Sequence, residues 1–375
     1  MPGARVGHVV LACDSFKGTR TAQQVGDDLR AGLLRERPEL EVFGVPVADG
    51  GEGTVDAALR AGYAARVVHV TGPLGDPVDA TVAVRRTSAV VELAAASGLA
   101  LGVTDPYGAL RASSAGTGQL IRACLDLGAR HLVLGLGGSA VTDGGAGMLQ
   151  ALGATVEDGE GLPLGPGGAS LSEVGRVDLT TLDPRLRQTE VVLAADVDNP
   201  LLGPTGAARA YAPQKGADPP AVARLEAGLR RWSGLLGADR AGSPGAGAAG
   251  GVGFAALVAL QARRRPGVDV VLELVGFADA LTGARLVVTG EGCLDEQTLR
   301  GKTPVGVAAA ARARGVPVVA VCGRNTLSPA ALRQAGFAAV HALTDLEPDL
   351  EVCRRQPGPL LHETGRRLAL AHLPG

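Results

Sequence analysis

Ionisable residues of a few types recur at one kind of place in this chain. Lys17, Asp49, Asp196, Asp198, Glu291, Asp295 and Lys302 each lie in a loop that follows a short β-branched run. Lysines there can neutralise phosphate oxygens, carboxylates can hold a hydrated Mg2+ ion, and one carboxylate can orient an attacking hydroxyl. Those are the parts that phosphoryl transfer requires. Taken singly, each acid serves equally well as a turn or N-cap residue. Taken together, they fit a metal-and-phosphate site.

The clearest case is the segment 284–311. Leu286-Val287-Val288-Thr289 reads as a buried strand. A glycine-punctuated loop follows with Glu291, Asp295 and Glu296, then Gly301-Lys302-Thr303, Pro304 and an alanine-rich helix. Thr303 is expected as the N-cap and Pro304 as the first helical residue. Free backbone N–H groups and the helix dipole at such a start favour an anion. The segment is not a Walker A loop. That motif needs a glycine where Glu296 stands, and an acid there repels phosphate.

Two other glycine clusters compete for a functional reading. Gly135-Leu136-Gly137-Gly138-Ser139-Ala140 fits G-x-G-x-x-A after a predicted strand, with Glu157 or Asp158 about 20 residues on. This pattern supports an alternative, an NAD(P)-linked oxidoreductase of a small hydroxy acid. Against it, Asp143-Gly144-Gly145-Ala146-Gly147 occupies the required helix, where each glycine costs about 1 kcal/mol. Asp143 would also face a pyrophosphate. Gly245-Ala246-Gly247-Ala248-Ala249-Gly250 follows no strand; it reads either as an anion-embracing loop or as a close-packed glycine turn.

The elements that must position these residues follow from periodicity. Residues 6–13 read as a strand, 21–37 as an amphipathic helix, 41–48 as a strand and 55–60 as a helix. Strand, polar loop, helix, twice in succession, predicts a parallel α/β sheet with ligands at the carboxyl ends of its strands. Residues 65–71 read as a further strand. A turn-rich stretch at 72–77 then gives way to antiparallel alternation over 79–93. Further on come a helix at 116–127, strands at 131–135 and 190–195, a helix at 219–236 and a buried helix at 252–265. After residue 283 the strand–helix alternation returns, with strands at 316–322 and 338–343 and helices at 329–335 and 359–371. The simplest topology is a Rossmann-like or flavodoxin-like α/β domain built from residues 1–72 and 283–375, with a mixed α/β domain, 73–282, inserted into it.

Composition narrows the partners. Lys+Arg number 36 against 38 Asp+Glu, a net charge of −2, which gives no support for nucleic-acid or acidic-membrane binding. Arg263-Arg264-Arg265 and Arg354-Arg355 are expected near helix ends as dipole partners. Aromatics make up 2% of the chain, too few for base-stacking platforms. The five cysteines contain no C-x-x-C pair and suit a reducing, cytoplasmic setting. No stretch approaches a transmembrane span, and the absence of a signal peptide argues against a periplasmic sugar-acid-binding protein.

In order along the chain, several motifs resemble those of bacterial glycerate kinases. Asp14-Ser-Phe-Lys-Gly-Thr19 and Pro46-Val-Ala-Asp-Gly-Gly-Glu-Gly-Thr54 are similar to the two N-terminal motifs of that family. The glycine cluster 135–148 is similar to theirs, as are Asp196-Val-Asp-Asn-Pro200, Gly203-Pro-Thr-Gly206 and Tyr211-Ala-Pro-Gln-Lys-Gly216. Residues 245–253, Thr289-Gly-Glu-Gly292 and Lys302-Thr-Pro304 complete the set. The resemblance implies ATP-dependent phosphorylation of D-glycerate, at the 2-hydroxyl, with Mg2+, in a cleft between two domains, by a monomer or homodimer. Their shared placement at strand ends makes Lys17, Asp49 and Asp196 the candidates for catalysis and Glu291 and Asp295 those for the metal. Ser15, Gly137, Gly138, Ser139, Asn199, Lys215 and Lys302 are assigned to substrate and phosphate. One departure is visible: Cys293 stands where the family usually has arginine.

Overall fold

The computed structural model describes residues 7–373. Strands β1 (His8–Cys13) and β2 (Val42–Gly44) open the chain. The middle contributes β3 (Ala64–Thr71), β4 (Pro77–Arg85), β5 (Ser88–Glu92), β6 (His131–Gly135), β7 (Thr155–Asp158), β8 (Val174–Asp178), β9 (Glu190–Ala194) and β10 (Arg263–Arg265). The end supplies β11 (Ala284–Leu294), β12 (Val318–Asn325) and β13 (Ala339–Ala342). Contacts divide the chain into two units, residues 1–49 with 268–375, and residues 50–267.

The terminal unit is a five-stranded parallel sheet in the order β13-β12-β11-β1-β2. Its inner strand β1, between β11 and β2, is buried from Val9 to Cys13, as a strand covered on both faces must be. Val6, expected as the first residue of this strand, lies outside the described residues. The helix Ala22–Glu36 starts at a capping box, in which Gln24 N–H donates to Thr21 Oγ1 at 3.2 Å and Thr21 N–H to Gln24 Oε1 at 3.0 Å. It packs Val25, Leu29 and Leu33 onto the sheet. The C-terminal helix Pro357–His372 lies against it at Gly32 and Gly365. A Cβ at Gly32 would stand 1.9 Å from His362 O, so the two helices touch backbone to backbone.

The middle unit has a six-stranded sheet in the order β10-β9-β6-β5-β4-β3. β3, β4 and β5 pair antiparallel, whereas β5, β6, β9 and β10 run parallel. Helices Ala115–Asp126 and Pro219–Leu236 belong to this unit, whose core is dominated by Leu, Val and Ala around the fully buried Trp232 and Phe254. Among the described residues, no helix is long and apolar enough to cross a membrane.

The sequence-derived boundaries lie at 72/73 and 282/283, the contact division at 49/50 and 267/268. The strand 64–71 accounts for the first difference, because all its residues from Ala64 to Thr71 pair with β4. The arginine run also differs from expectation. The buried helix stops at Ala259, Gln261 takes a left-handed φ of 51°, and Arg263–Arg265 forms the edge strand beside β9 rather than a helix end.

Candidate active site

In the terminal unit, β1, β11 and β12 lie side by side and deliver their carboxyl ends to one cavity of about 330 Å³. Its lining includes Asp14, Ser15, Lys17, Glu291, Asp295 and Lys302. Lys17 is 72% exposed at its side chain, and its Nζ lies 3.9 Å from Asp49 Oδ2. Lys302 Nζ lies 3.9 Å from Glu291 Oε2. Of the residues expected in this unit, Asp49 therefore meets the others through Lys17.

The carboxylates differ in their commitments. Asp295 Oδ1 accepts from Gln297 N–H at 2.8 Å and Thr298 N–H at 3.2 Å, so that oxygen is spent on its own turn. Glu291 Oε1 accepts from Thr298 Oγ1 at 2.6 Å. Burial pushes the Glu291 carboxyl up to about 7, opposed by the Thr298 hydrogen bond and the Lys302 ammonium. Asp14, one residue past β1, is 5% exposed. Its Oδ1 accepts from Ser15 N–H at 2.6 Å and its Oδ2 from Thr303 Oγ1 at 2.7 Å. Burial and the neighbouring Asp49 push it up to about 6.

Thr303 thus differs from its expected role. The helix runs Thr303–Arg312 with Lys302 at the N-cap position, and the Thr303 hydroxyl holds Asp14 instead of capping. Cys293 lines the same cavity, and its parallel register partner on β12 is Arg324, which lines it too. The guanidinium missing at 293 has a neighbour one strand away.

Among the described residues, no three His, Cys, Asp or Glu side chains are grouped to hold a metal by themselves. Mg2+ needs less, since it keeps several waters and takes one or two carboxylates plus substrate phosphates. Asp14 and Glu291, whose carboxyls burial pushes up, fit such a cation, which would favour their ionised forms.

In the middle unit the carboxyl ends of β5, β6 and β9 are adjacent, with Glu92 opposite Gly135 and Gly135 opposite Ala194. Asp196 follows β9 and accepts from Gly267 N–H at 2.8 Å. Gly137 and Gly138 follow β6, and a Cβ at Gly137 would stand 2.6 Å from Gly51 Cα. The glycine there serves close approach of two loops. Ser139 is half-buried on the same loop. Lys215, expected to touch substrate, is 2% exposed beneath it. Asn199 spends both ends of its amide locally, donating to Thr205 O and accepting from Tyr211 OH, each at 2.6 Å.

Asp143, next along this glycine cluster, is 1% exposed. Its oxygens accept from Ser114 N–H, Ser114 Oγ, Gly145 N–H and Gly147 N–H. Burial pushes its carboxyl up, and the four donors pull against it. A protonated carboxyl would set its O–H against a donor, so the ionised form suits the site. The dinucleotide alternative fails on this geometry. No helix follows β6 until Ala146, Gly137 packs against Gly51 Cα where the fingerprint needs a pyrophosphate to approach, and Glu157 pairs with Arg176 on the β7–β8 hairpin. The loop 245–250 takes its close-packed form: a Cβ at Gly250 would fall 1.9 Å from Val141 O.

Sequence reasoning did not nominate Asp14, Glu92 or Arg324. All three stand at the carboxyl ends of strands, the rule that found the others. Glu92 Oε1 accepts from Val55 N–H at 2.6 Å, and burial pushes its carboxyl up to about 7. It thereby fixes the start of the helix Thr54–Arg60 behind the Gly50–Gly53 loop.

Comparisons with known proteins agree across nearly the whole chain. A profile described as the glycerate kinase family matches residues 9–372. A glycerate kinase of Halalkalibacterium halodurans is 42% identical over 369 residues, covering 96% of this chain and 97% of the relative. The glycerate 2-kinase of Escherichia coli is 40% identical over 342 residues, covering 89% and 90%. A crystal structure described as that of a glycerate kinase 2 from Salmonella typhimurium LT2 superposes with a TM-score of 0.83 at 38% identity, covering 97% of each chain.

Proposed function

The chain belongs to the glycerate kinase family of phosphotransferases, and from that premise we propose that it uses ATP to phosphorylate D-glycerate at the 2-hydroxyl, giving 2-phosphoglycerate. The observation that carries the reading at residue level is the convergence of Asp14, Lys17, Glu291 and Lys302 on one cavity at the ends of parallel strands. Lys17, Lys302 and Arg324 supply cations to the triphosphate, and Asp49 steadies Lys17. Glu291 and Asp14 would hold Mg2+, with Asp295 shaping the turn beside them. The ion would supply positive charge against the phosphate oxygens. Asp196 is the acceptor for a hydrogen bond from the glycerate hydroxyl. The loop Gly137–Ser139 receives an anionic group of the substrate.

An ADP-release assay with D-glycerate tests the activity, and phosphorus NMR of the product tests the position. A phosphate on the carbinol CH couples to one proton and gives a doublet; one on the CH2 gives a triplet, which would overturn the 2-hydroxyl assignment. Lys17→Ala and Asp196→Asn should each lower kcat by about 10²–10³-fold with unchanged melting, the scale of removing one preorganised polar group. Near-normal turnover in both would remove these residues from the mechanism.

A further inference from the structure

Lys215 is a buried charge that the reaction as described does not use. It closes a short turn, Pro213–Lys215, and Gly216 takes a left-handed φ of 95° behind it. Its ammonium donates to Ser139 Oγ at 2.9 Å and to Val141 O at 2.6 Å. Both acceptors belong to the loop that follows β6. The backbone of that loop is held independently, by Leu99 N–H on Gly138 O and Ala140 N–H on Ser97 O, each at 2.9 Å. The Ser139 backbone is therefore held in place beside the lysine.

A serine hydroxyl has one proton and two lone pairs. Lys215 fills a lone pair from below. Among the described residues, the Ser139 hydroxyl donates to no protein acceptor, and the residue is only half-buried. Its proton is left to point outward, polarised by the cation behind it. Such a group matches an anionic oxygen.

We infer that Lys215 is a positioning residue that fixes the Ser139 hydroxyl as an outward hydrogen-bond donor to a carboxylate or phosphate oxygen of a substrate. The inference rests on the reading that the Gly137–Ser139 loop receives substrate. Burial pushes the Lys215 amine down to about 7, and Asp143 pulls it back up. Asp105 and Asp218, on the flanking segments, are occupied as caps on Gly108 N–H and Ala221 N–H. When the amine loses its proton it gains a lone pair. The cation that polarises the Ser139 hydroxyl is then gone and the new lone pair competes for its proton, so the outward donor is weakened.

The test is steady-state kinetics with D-glycerate and ATP varied separately across this pH range. Wild type, Ser139→Ala, Lys215→Met and the double variant are compared, with melting temperatures. Ser139→Ala should raise the KM of one substrate about 10–100-fold, the worth of a hydrogen bond to a charged group, and keep its melting temperature. A rise for D-glycerate identifies the carboxylate; a rise for ATP identifies a phosphate. Lys215→Met should raise the same KM, and the double variant should be no worse than the poorer single. In wild type that KM should climb above pH about 7, a limb absent from both single variants. Retention of the limb in Ser139→Ala overturns the inference even if Lys215→Met does not fold. Additive effects, or a Lys215→Met enzyme with wild-type KM, overturn it as well. Unchanged KM for both substrates in Ser139→Ala would instead remove the substrate-loop reading beneath it.

Discussion

Replacing Asp143 by asparagine asks whether the carboxylate under the glycine cluster is ionised. Oδ2 takes three donors, Ser114 N–H and Ser114 Oγ at 2.8 Å and Gly147 N–H at 3.3 Å; Oδ1 takes Gly145 N–H at 3.0 Å. Asparagine can keep its oxygen on the three-donor side, which forces its NH2 against Gly145 N–H. Stranding that donor costs about 1–3 kcal/mol, and losing charge assistance weakens the other three bonds by about 1 kcal/mol each. Removing a buried charge returns a few kcal/mol of desolvation. The net expectation is a loss of about 2 kcal/mol for Asp143→Asn, and about 4 kcal/mol for Asp143→Ala, which leaves every donor without the carboxylate. The chain carries its own reporter, because its single tryptophan, Trp232, donates from Nε1 to Gly144 O at 2.9 Å. Urea unfolding followed by Trp232 emission gives the stability difference. If Asp143→Asn were as stable as wild type at neutral pH, the carboxyl would be protonated in the folded protein and the account of this loop would be wrong.

Glu92 gives a pH signature of definite sign. Its folded pKa of about 7 lies above the ordinary 4.5, so its contribution to stability is full below that value and is lost as pH rises through about 7. Glu92→Gln keeps an acceptor for Val55 N–H and should flatten that loss in urea midpoints measured across the range; an unchanged slope would show that the carboxyl titrates normally. Gly137→Ala puts a methyl 2.6 Å from Gly51 Cα and should lower kcat/KM by about 10²-fold through loop displacement, read by the ADP-release assay. Gly234→Ala, on the exposed side of the helix Pro219–Leu236 with nothing within 4 Å, should stabilise by about 0.5–1 kcal/mol and leave turnover unchanged.

Much of this architecture was legible because period and punctuation agree. β6 and the helix Pro219–Leu236 fall where the apolar pattern places them. The loops that line the terminal cavity were legible because strand ends, glycines and charges coincide in the sequence. Burial of charge was not. Lys215 and Asp143 look like surface residues until the fold encloses them, and only the donors and acceptors around them explain why they stay. Arg263–Arg265 misled for a different reason. A three-residue edge strand after an all-apolar helix shows no alternation, and nothing local marks the left-handed turn at Gln261. Thr303 misled because a hydroxyl before a proline reads as a cap, whereas its partner, Asp14, lies at the other end of the chain.

The terminal sheet also dictates an order of assembly. β1 lies between β2 and β11, so one neighbour is made almost at once and the other after nearly three hundred residues. At about 5–20 residues per second, a ribosome leaves β1 without β11 for roughly 10–50 s. Segment 50–267 has all its strand partners within itself and can pair while that happens. Val9, Val10 and Leu11, sealed from solvent in the finished protein, spend that interval in water or on a chaperone. A nascent chain halted before residue 284 would carry β1 with its β11 edge unpaired, and that edge is where aggregation of truncated forms should begin.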